Sequence, residues 1–563
     1  MRRTLIAVVT VIVLAGAAYY GLFVVPSQQL RAGLDQTIAT LPARYSVKYG
    51  GARYSLFSHT ATITDLSIQG PASYPLNQTI AKITVEHPAL DFVDQWNKAQ
   101  ANPSALKPDQ AIPVADRVTV EGAKFSGNGG GATAGSGTIA SSSLAKIRIY
   151  PWPFFQPGVP PLQDFGTVFL SALEAQKKVT AEQQALLAQQ QKSLAQPRDP
   201  AQQGAAPTPA DFQRLQKDAL DALLPLARLE AVVYLGLGFD SFDSSGLDVT
   251  SVMPASAAAP FGNLHVAASK MHLAAFDRGI GDGSTTDGMV EEFGPSGKIA
   301  VDHASLGNMV LRDTAARLVN GAPLTMALLD GASFEGMEFD GMSVTLPTGG
   351  ATQIQKIVLS NLTFDHSFLK SFGFNITGLK QDASSLDGRA KAAFQQLGLT
   401  TLTINIATSF QWDADKKTAT LHDNSISIDE LGSLQLNADL VNVGPSGVAG
   451  PELPGFSKAV LRYQDGSLIN RLLSAGGKRT PEQLAQMRQA FAANMLHNLG
   501  AFAADPKLAG SVTAITDFAK TPQNLTVTLA PSAPVPLAAI KDLAAQGPQT
   551  LVDTLGLSVT ANQ

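Results

Sequence analysis

The sequence predicts an α+β chain that is predominantly β, built on an elongated, strongly twisted sheet whose strands are kinked or bulged. Short runs in which apolar and polar residues alternate recur along most of the chain, as expected for strands with one buried face. Many of these runs shift their apolar positions by one residue partway along, which indicates a bend. Other stretches predict an N-terminal transmembrane helix, an inserted helical hairpin and a C-terminal amphipathic helix.

Composition limits the classes of function. Charged residues make up 15% of the 563 residues and hydrophobic residues 45%, which indicates a folded chain. The formal net charge of −5 argues against a nucleic-acid partner, which needs a basic surface. The chain contains no cysteine, so disulfides, thiolate metal sites and a cysteine nucleophile are excluded. A large exported chain without cysteine is typical of the bacterial envelope.

The N-terminus predicts a membrane anchor over residues 1–25. Arg2 and Arg3 precede an uncharged stretch from Thr4 to Val25, which is long enough to cross a bilayer. The two arginines place the N-terminus in the cytoplasm and the rest of the chain in the periplasm, so the partner is the bacterial inner membrane in a single pass. The alternative is a cleaved signal peptide, because residues 15–17 (Ala-Gly-Ala) have the small-x-small form of a cleavage site.

The shift of apolar positions is clearest between Arg53 and Gly70. Ala61 and Ile63 share one parity, whereas Leu66 and Ile68, after Asp65, share the other. Similar shifts occur beside small polar residues or glycine, which tolerate the backbone conformation of a kink. The residues at or beside these shifts are Asp65, Glu121, Glu335, Asp340, Asn361 and Asp423.

One extra residue in a strand, as in a β-bulge, restores the register of the apolar face. We therefore expect one side of the sheet to be apolar throughout, either as an open groove or as a closed core. The residues that recur at the same place relative to each shift form a candidate apolar groove: Leu66, Ile68, Phe125, Phe334, Phe339, Leu362 and Phe364.

Helical segments divide the rest of the chain. A first β region (26–160) precedes a helical hairpin insertion (161–235), in which Thr180 and Gln183 are a candidate capping box and 195–209 is a Pro/Ala/Gln linker. A second β region (236–475) precedes a C-terminal helix and closing strands (476–563). Thr208-Pro209 and Thr480-Pro481 have the pattern of a helix start. The apolar stripe of the C-terminal helix is Leu484, Met487, Phe491, Met495 and Leu499.

The motifs that would carry chemistry are absent or incomplete. The glycine-rich stretch Gly127–Gly137 has no following Lys-Ser/Thr, so it is interpreted as a surface loop. The eight histidines form no H-x-x-x-H or H-E-x-x-H pair, and Asp277, Asp282 and Asp287 match no calcium-loop spacing. We therefore predict no catalytic residues, no cofactor and no metal, and a protein that is not an enzyme.

Two further stretches carry a family resemblance. The anchor is followed by "YSLFSH" (54–59) leading into the first long strand, and "LTVTLAPSAPVPLAAI" (525–540) forms a closing strand and a proline-rich step. This layout resembles the YdgA-like and AsmA-like group of bacterial envelope proteins, although the insertion at 165–230 departs from it. The resemblance implies a periplasmic, inner-membrane-anchored protein with an elongated β-groove, and for AsmA-like proteins it implies lipid handling.

Two classes of function stay open. In the first, the protein maintains the envelope or handles lipid, and its partner is a phospholipid or another envelope lipid that lies along the apolar groove. In the second, it is a periplasmic scaffold or assembly protein with a closed core, and its helical hairpin binds other envelope proteins. A continuous exposed apolar strip would favour the first class.

Overall fold

The computed structural model describes most of the chain beyond residue 30. The described residues are 31–563 without 33, 36–37, 40–45, 56, 71–75, 130–132, 162–163, 196–207, 253–262, 347–349, 384–385, 387, 446–452, 476, 478, 501–505 and 547.

The strands of the described residues belong to a single sheet. They are β1 (Ser46–Lys48), β2 (Gly51–Ser55), β3 (Thr60–Gln69), β4 (Leu76–Pro88), β5 (Ile112–Gly129), β6 (Thr133–Ile149), β7 (Leu237–Phe239), β8 (Ser241–Val252), β9 (Asn263–Leu273), β10 (Phe276–Asp277), β11 (Ile280–Gly281), β12 (Ser284–Glu292), β13 (Lys298–Leu306), β14 (Met309–Val310), β15 (Ser333–Thr345), β16 (Ala351–Asp365), β17 (Phe368–Asp382), β18 (Thr401–Asp413), β19 (Thr418–Ile428), β20 (Gly432–Val441), β21 (Gly455–Asp465), β22 (Asn524–Leu529), β23 (Val535–Pro536) and β24 (Leu557–Ala561).

Helices lie between the strands and after them. Those with fully described bounds are α1 (Phe92–Ala101), α2 (Phe165–Ala195), α3 (Pro209–Gly236), α4 (Arg312–Val319), α5 (Gly388–Gln396), α6 (Leu468–Leu473), α7 (Pro481–Leu499), α8 (Ala509–Lys520), α9 (Ile540–Ala545) and α10 (Pro548–Leu555).

The sheet is antiparallel and contains 24 strands. β1 and β2 both pair with β3, and the long strands then follow in the order β3–β4–β5–β6–β8–β9–β12–β13–β15–β16–β17–β18–β19–β20–β21–β22–β24. Because β6 pairs with β8, the β regions on either side of the helical hairpin form one continuous sheet. The predominantly β fold with one large sheet is confirmed.

A line of residues with left-handed backbone conformation crosses this sheet at right angles to the strands, and we call it the crease. These residues lie on alternate strands, and their φ values are between 53° and 64°. Those residues are Asp65, Gly122, Gly246, Gly288, Gly341 and Gly378. Opposite them, on the strands between, lie Ala81, Ala140, Ser269, Asp302, Gln355 and Asn405.

Crowding at the crease explains the glycines. A Cβ added to Gly122 would lie 2.9 Å from the Ala81 Cβ, and one added to Gly246 would lie 2.7 Å from the Ala140 Cβ. Glycine avoids both this clash and the cost of a left-handed conformation. Side chains also satisfy backbone groups that the kink leaves unpaired. Asn405 Oδ1 accepts the Gly378 N–H at 2.8 Å, and Ser269 Oγ donates to the Asp287 carbonyl at 2.7 Å.

The crease accounts for the shift in apolar positions. Ala61, Ile63, Leu66 and Ile68 are all buried on one face, and two consecutive residues, Thr64 and Asp65, lie on the other. Each residue predicted at a shift lies on, beside or opposite a residue with a left-handed backbone. Asp65, Asn361 and Asp423 are themselves left-handed, with φ values of 53°, 56° and 52°. Glu121 and Asp340 precede left-handed glycines, and Glu335 lies opposite Asn361.

The mechanism differs from the predicted one at Asp65. Thr64 pairs with Lys82 and Leu66 with Ile80, so both strands kink together and the register is unchanged. No extra residue is therefore inserted there. The register does shift between Ser360 and Thr363 on β16, and between Leu421 and Asn424 on β19, as in a bulge.

The helix starts largely follow the prediction. Thr208 and Thr480 both form capping boxes, with Asp211 and Gln483 respectively. The predicted stripe of α7, from Leu484 to Leu499, is half-buried. The proposed restart at Thr180 is wrong, because α2 is continuous there and the Thr180 hydroxyl donates to the carbonyl of Gln176, four residues earlier.

The glycine-rich stretch is mostly strand rather than loop. Gly127 pairs with Gly135, and Phe125 pairs with Gly137, within the β5–β6 hairpin. A Cβ on Gly137 would lie 2.5 Å from Phe125 Cζ, so this glycine provides space for the aromatic ring. The alternation rule misses such a strand because glycine has no side chain to mark a face.

The predicted anchor at 1–25 lies outside the described residues. Within the part of the chain that the structure describes, no helix has the length and apolar character needed to cross a membrane.

The crease gives a first testable prediction. Gly122→Ala should lower the free energy of unfolding by about 1–3 kcal/mol, because alanine is disfavoured at this φ and its Cβ would crowd Ala81. Denaturant unfolding measures the change. Gly510→Ala is the control, because Gly510 lies in α8 with open space around it, and it should raise stability by up to about 1 kcal/mol. Equal effects of the two changes would contradict the role of the crease.

Candidate functional site

One row of in-register residues runs along the apolar face from β3 to β24, and we call it the inner row. Each residue pairs directly with the next one on the neighbouring strand. Its members, in order, are Ile63, Ile83, Val120, Ser142, Ser244, Met271, Thr286, Ala304, Phe339, Ile357, Ile376, Ile406, Ile426, Leu434, Tyr463, Leu525 and Ala561. The row contains no charged residue.

Burial changes along the inner row. At the N-terminal end Ile83 is 1% exposed and Val120 is 4% exposed, and both belong to one large core. That core also contains Phe92 of α1 and Phe239 of β7. From Met271 onward the row is half-buried, and Ile426 and Leu434 are 42% and 38% exposed. Within the described residues, the same face is therefore closed at the N-terminal end of the sheet and open over most of the rest.

The predicted groove residues divide between these two parts. Leu66 and Ile68 are buried in the N-terminal core and Phe125 packs against it, so at these three residues the face is a closed core, one of the two alternatives that the sequence left open. The four that are half-buried on the open part are Phe334, Phe339, Leu362 and Phe364.

The structure adds residues that the sequence set omitted. Ile376 and Ile406 lie in register with Phe339 through Ile357, and Leu436 and Leu461 are 40% and 36% exposed beyond them. Ile406 and Leu436 lie on β18 and β20, whose apolar residues alternate without a shift of parity, so the pattern that selected the predicted residues is absent from these strands. Plain alternation in these strands would have identified the same face. Ile376 on β17 lies beside a shift, at Gly378, but was not among the predicted residues.

Helix α8 covers the C-terminal end of the apolar face. The Phe518 ring meets the Tyr463 ring edge-on, with the centroids 5.8 Å apart. Ser511 Oγ accepts the Val559 N–H of the edge strand β24 at 3.1 Å in a buried setting. Burial, with the hydrogen bond from Tyr463 to Asp465, raises the pKa of the Tyr463 hydroxyl, so this tyrosine is neutral at ordinary pH.

The opposite face carries a line of charges beside the crease, which we call the outer ladder. It consists of the in-register residues Lys270, Asp287, His303, Asp340 and Lys356. His303 Nδ1 lies 2.6 Å from Asp287 Oδ1. A hydrogen bond to Glu338 raises the pKa of Lys356, so this lysine remains charged. The outer ladder makes this face polar and hydrated, whereas the inner row makes the opposite face apolar.

No metal centre emerges from the histidines or aspartates of the described residues. Within those residues no group of three or more candidate ligands is placed to hold a metal ion. His265 and His272 both lie on β9, but they face different carboxylates, Asp248 and Asp243. Asp277 instead accepts hydrogen bonds from Tyr150 and Arg312, which fixes the strand ends near β10.

Comparison with known proteins adds one match. A family model described as "Uncharacterized protein" matches residues 425–562, from the second half of β19 through β24. This stretch contains the most exposed part of the inner row and α6 to α10. No curated protein and no solved structure matches the chain.

The attachment of α8 is testable. Ser511→Ala should lower the free energy of unfolding by about 1–3 kcal/mol, because it leaves the buried Val559 N–H without an acceptor. Hydrogen exchange at Val559 should become faster, as measured by mass spectrometry. Thr513→Ala, on the exposed side of the same helix, is the control and should have little effect. Unchanged exchange at Val559 would show that α8 is held by other contacts.

Proposed function

We propose that this protein is anchored in the bacterial inner membrane and binds the acyl chains of envelope lipids along the open part of its apolar face. It acts in lipid handling or envelope maintenance and catalyses no reaction. The observation that carries the proposal is the half-exposed inner row from Met271 to Leu434. Soluble monomers rarely leave a long contiguous apolar surface exposed unless it binds something.

The chemistry of the open face fits an alkyl chain. Every residue of the inner row from Ala304 to Leu434 is aliphatic or aromatic. The backbone groups beneath these side chains pair within the sheet, so they offer few hydrogen bonds to a ligand. Protein interfaces carry about one hydrogen bond per 100–200 Å², so this face would offer a protein partner too few hydrogen bonds. An acyl chain needs none.

The location rests on the N-terminal sequence. Arg2 and Arg3 before the uncharged stretch Thr4–Val25 support a single span with a cytoplasmic N-terminus. The resemblance in layout to YdgA-like and AsmA-like envelope proteins supports the same location. An anchor would hold the open face near a membrane, which supplies acyl chains.

A scaffold function is the second candidate, and the helical hairpin favours it. The C-terminal end of α3 is buried against α4, through residues such as Val232 and Leu318. Farther along the hairpin, Leu187 of α2 and Leu220 of α3 are 45% and 39% exposed. These leucines offer a surface for another envelope protein, which the first proposal does not use.

Phe339→Arg tests the lipid proposal. On an open face the guanidinium can reach water, so the melting temperature should stay within a few degrees of the wild-type value, while co-purified phospholipid is lost. Mass spectrometry of lipid extracted from the full-length protein measures the loss. Val120→Arg is the matched control in the closed part of the same row. It buries an unpaired charge and should prevent stable folding.

If Phe339→Arg also unfolds, the face is a closed core and the scaffold function is favoured. If the variant folds and keeps its phospholipid, the lipid lies elsewhere on the protein and the proposed site is wrong.

The location has its own test. A reporter fused after Gln563 should be active only outside the cytoplasm, and the protein should fractionate with membranes. Sequencing of the N-terminus distinguishes an anchor from a cleaved signal peptide. A soluble periplasmic chain that begins at Ala18 would remove the anchor from the proposal.

A further inference from the structure

We infer that the acyl-chain site is a bounded trough, closed at both ends, rather than a path along the whole sheet. The trough is the stretch of the apolar face from β9 to β20. Its inner-row residues run from Met271, which packs against the N-terminal core and marks that limit, to Leu434. This inference rests on the proposed function and specifies which part of the apolar face takes lipid and how much it can hold.

The N-terminal boundary is a packed core. Ile63 and Ile83 are 2% and 1% exposed, and they contact other apolar side chains of the same cluster. Protein interiors of this kind are packed as densely as organic crystals, so they leave no room for an acyl chain. An acyl chain could enter only by displacing this core.

A polar contact lies at the transition. Ser142 and Ser244 are neighbours in the inner row, and their Oγ atoms form a hydrogen bond of 2.9 Å while both residues are buried. The next residues, Met271 and Thr286, are half-buried. An alkyl chain beyond this point would have to replace the hydrogen bond with an apolar contact, which is unfavourable for the hydroxyls. The trough therefore ends near β9.

The C-terminal boundary is α8. Phe518 packs on Tyr463, which follows Leu434 in the inner row, and Val512 and Ala519 of the same helix are buried. Leu434 on β20 is still 38% exposed. The helix therefore begins to cover the apolar face at Tyr463 on β21, where Leu461 is still 36% exposed.

The length of the trough limits its capacity. The path β9–β12–β13–β15–β16–β17–β18–β19–β20 has eight steps, and at about 4.8 Å per step it spans about 38 Å. One leaflet of a bilayer core is about 15 Å thick, which approximates the extent of an acyl chain. Two chains placed end to end would occupy about 30 Å of the trough, and a third would not fit, so the protein should carry a small, fixed number of lipids.

Photochemical mapping of the full-length protein tests the boundaries. The probe is a phospholipid with a diazirine in its acyl chain, supplied in vesicles of phosphatidylethanolamine and phosphatidylglycerol. After irradiation and digestion, mass spectrometry should locate adducts on the apolar face of β9 to β20, and none on β3 to β6. Ile376→Arg should remove most of the adducts, whereas Asp287→Asn, on the outer ladder, should leave their yield unchanged.

The outcomes separate the two proposals. Adducts confined to β9–β20 support both. Adducts on β3 to β6 as well as the trough would keep the lipid function but overturn the boundary, because lipid would then pass along the whole sheet. An absence of adducts on every described strand would overturn the lipid function itself.

Discussion

The paired kink at the crease is the constraint on which the rest of this fold depends. At this line each strand turns two consecutive residues away from the apolar face, as Thr64 and Asp65 do on β3. Neighbouring strands have to do so at the same height, or their side chains would change faces out of step. The left-handed glycines make this possible, because any Cβ at Gly122 or Gly246 would meet the alanine on the next strand. One apolar face can then continue across strands that would otherwise lose their common register.

The crease also keeps the charged residues on one face of the sheet and the apolar residues on the other. Residues next to it on the outer side, such as Asp340 and Lys356, form the outer ladder, and the exposed ion pair between these two contributes little to stability. They keep that face wetted, whereas the apolar face depends on burial for its stability. Where the core covers this face it stabilises the fold, since each fully buried aliphatic side chain contributes about 1.5–3 kcal/mol. Where nothing in the described chain covers it, as at Ile426, that free energy remains available to a ligand.

The sequence predicted parity shifts within single strands, but it could not predict that kinks align across the sheet or what covers the apolar face. The parity shift at Asp65, Asn361 and Asp423 is a local pattern, and each of these residues has the left-handed backbone that such a shift requires. Thr208 and Thr480 were predictable for the same reason, because a capping box involves only neighbouring residues. Burial is not local. Ile83 and Ile376 stand in similar alternating stretches, yet Ile83 is 1% exposed and Ile376 is half-buried. Within the described residues, the difference comes from distant elements that pack over β4 and not over β17, so the sequence alone could not decide between an open groove and a closed core at Leu66 and Ile68.

The apolar face changes from covered to open along the sheet, and this change separates the strands that stabilise the fold from those that bind the ligand. The N-terminal strands form a core that is stable without a ligand, because Ile63, Ile83 and Val120 are already buried by the protein itself. Such a core can hold the sheet in shape whether or not the trough is filled. The C-terminal strands contribute to ligand binding what they do not contribute to folding, because their side chains are only half-buried. A polar change there should therefore affect the ligand before the fold, whereas the same change in the N-terminal core affects the fold first. The position of a side chain along the inner row, more than its residue type, determines whether it contributes to folding stability or to ligand binding.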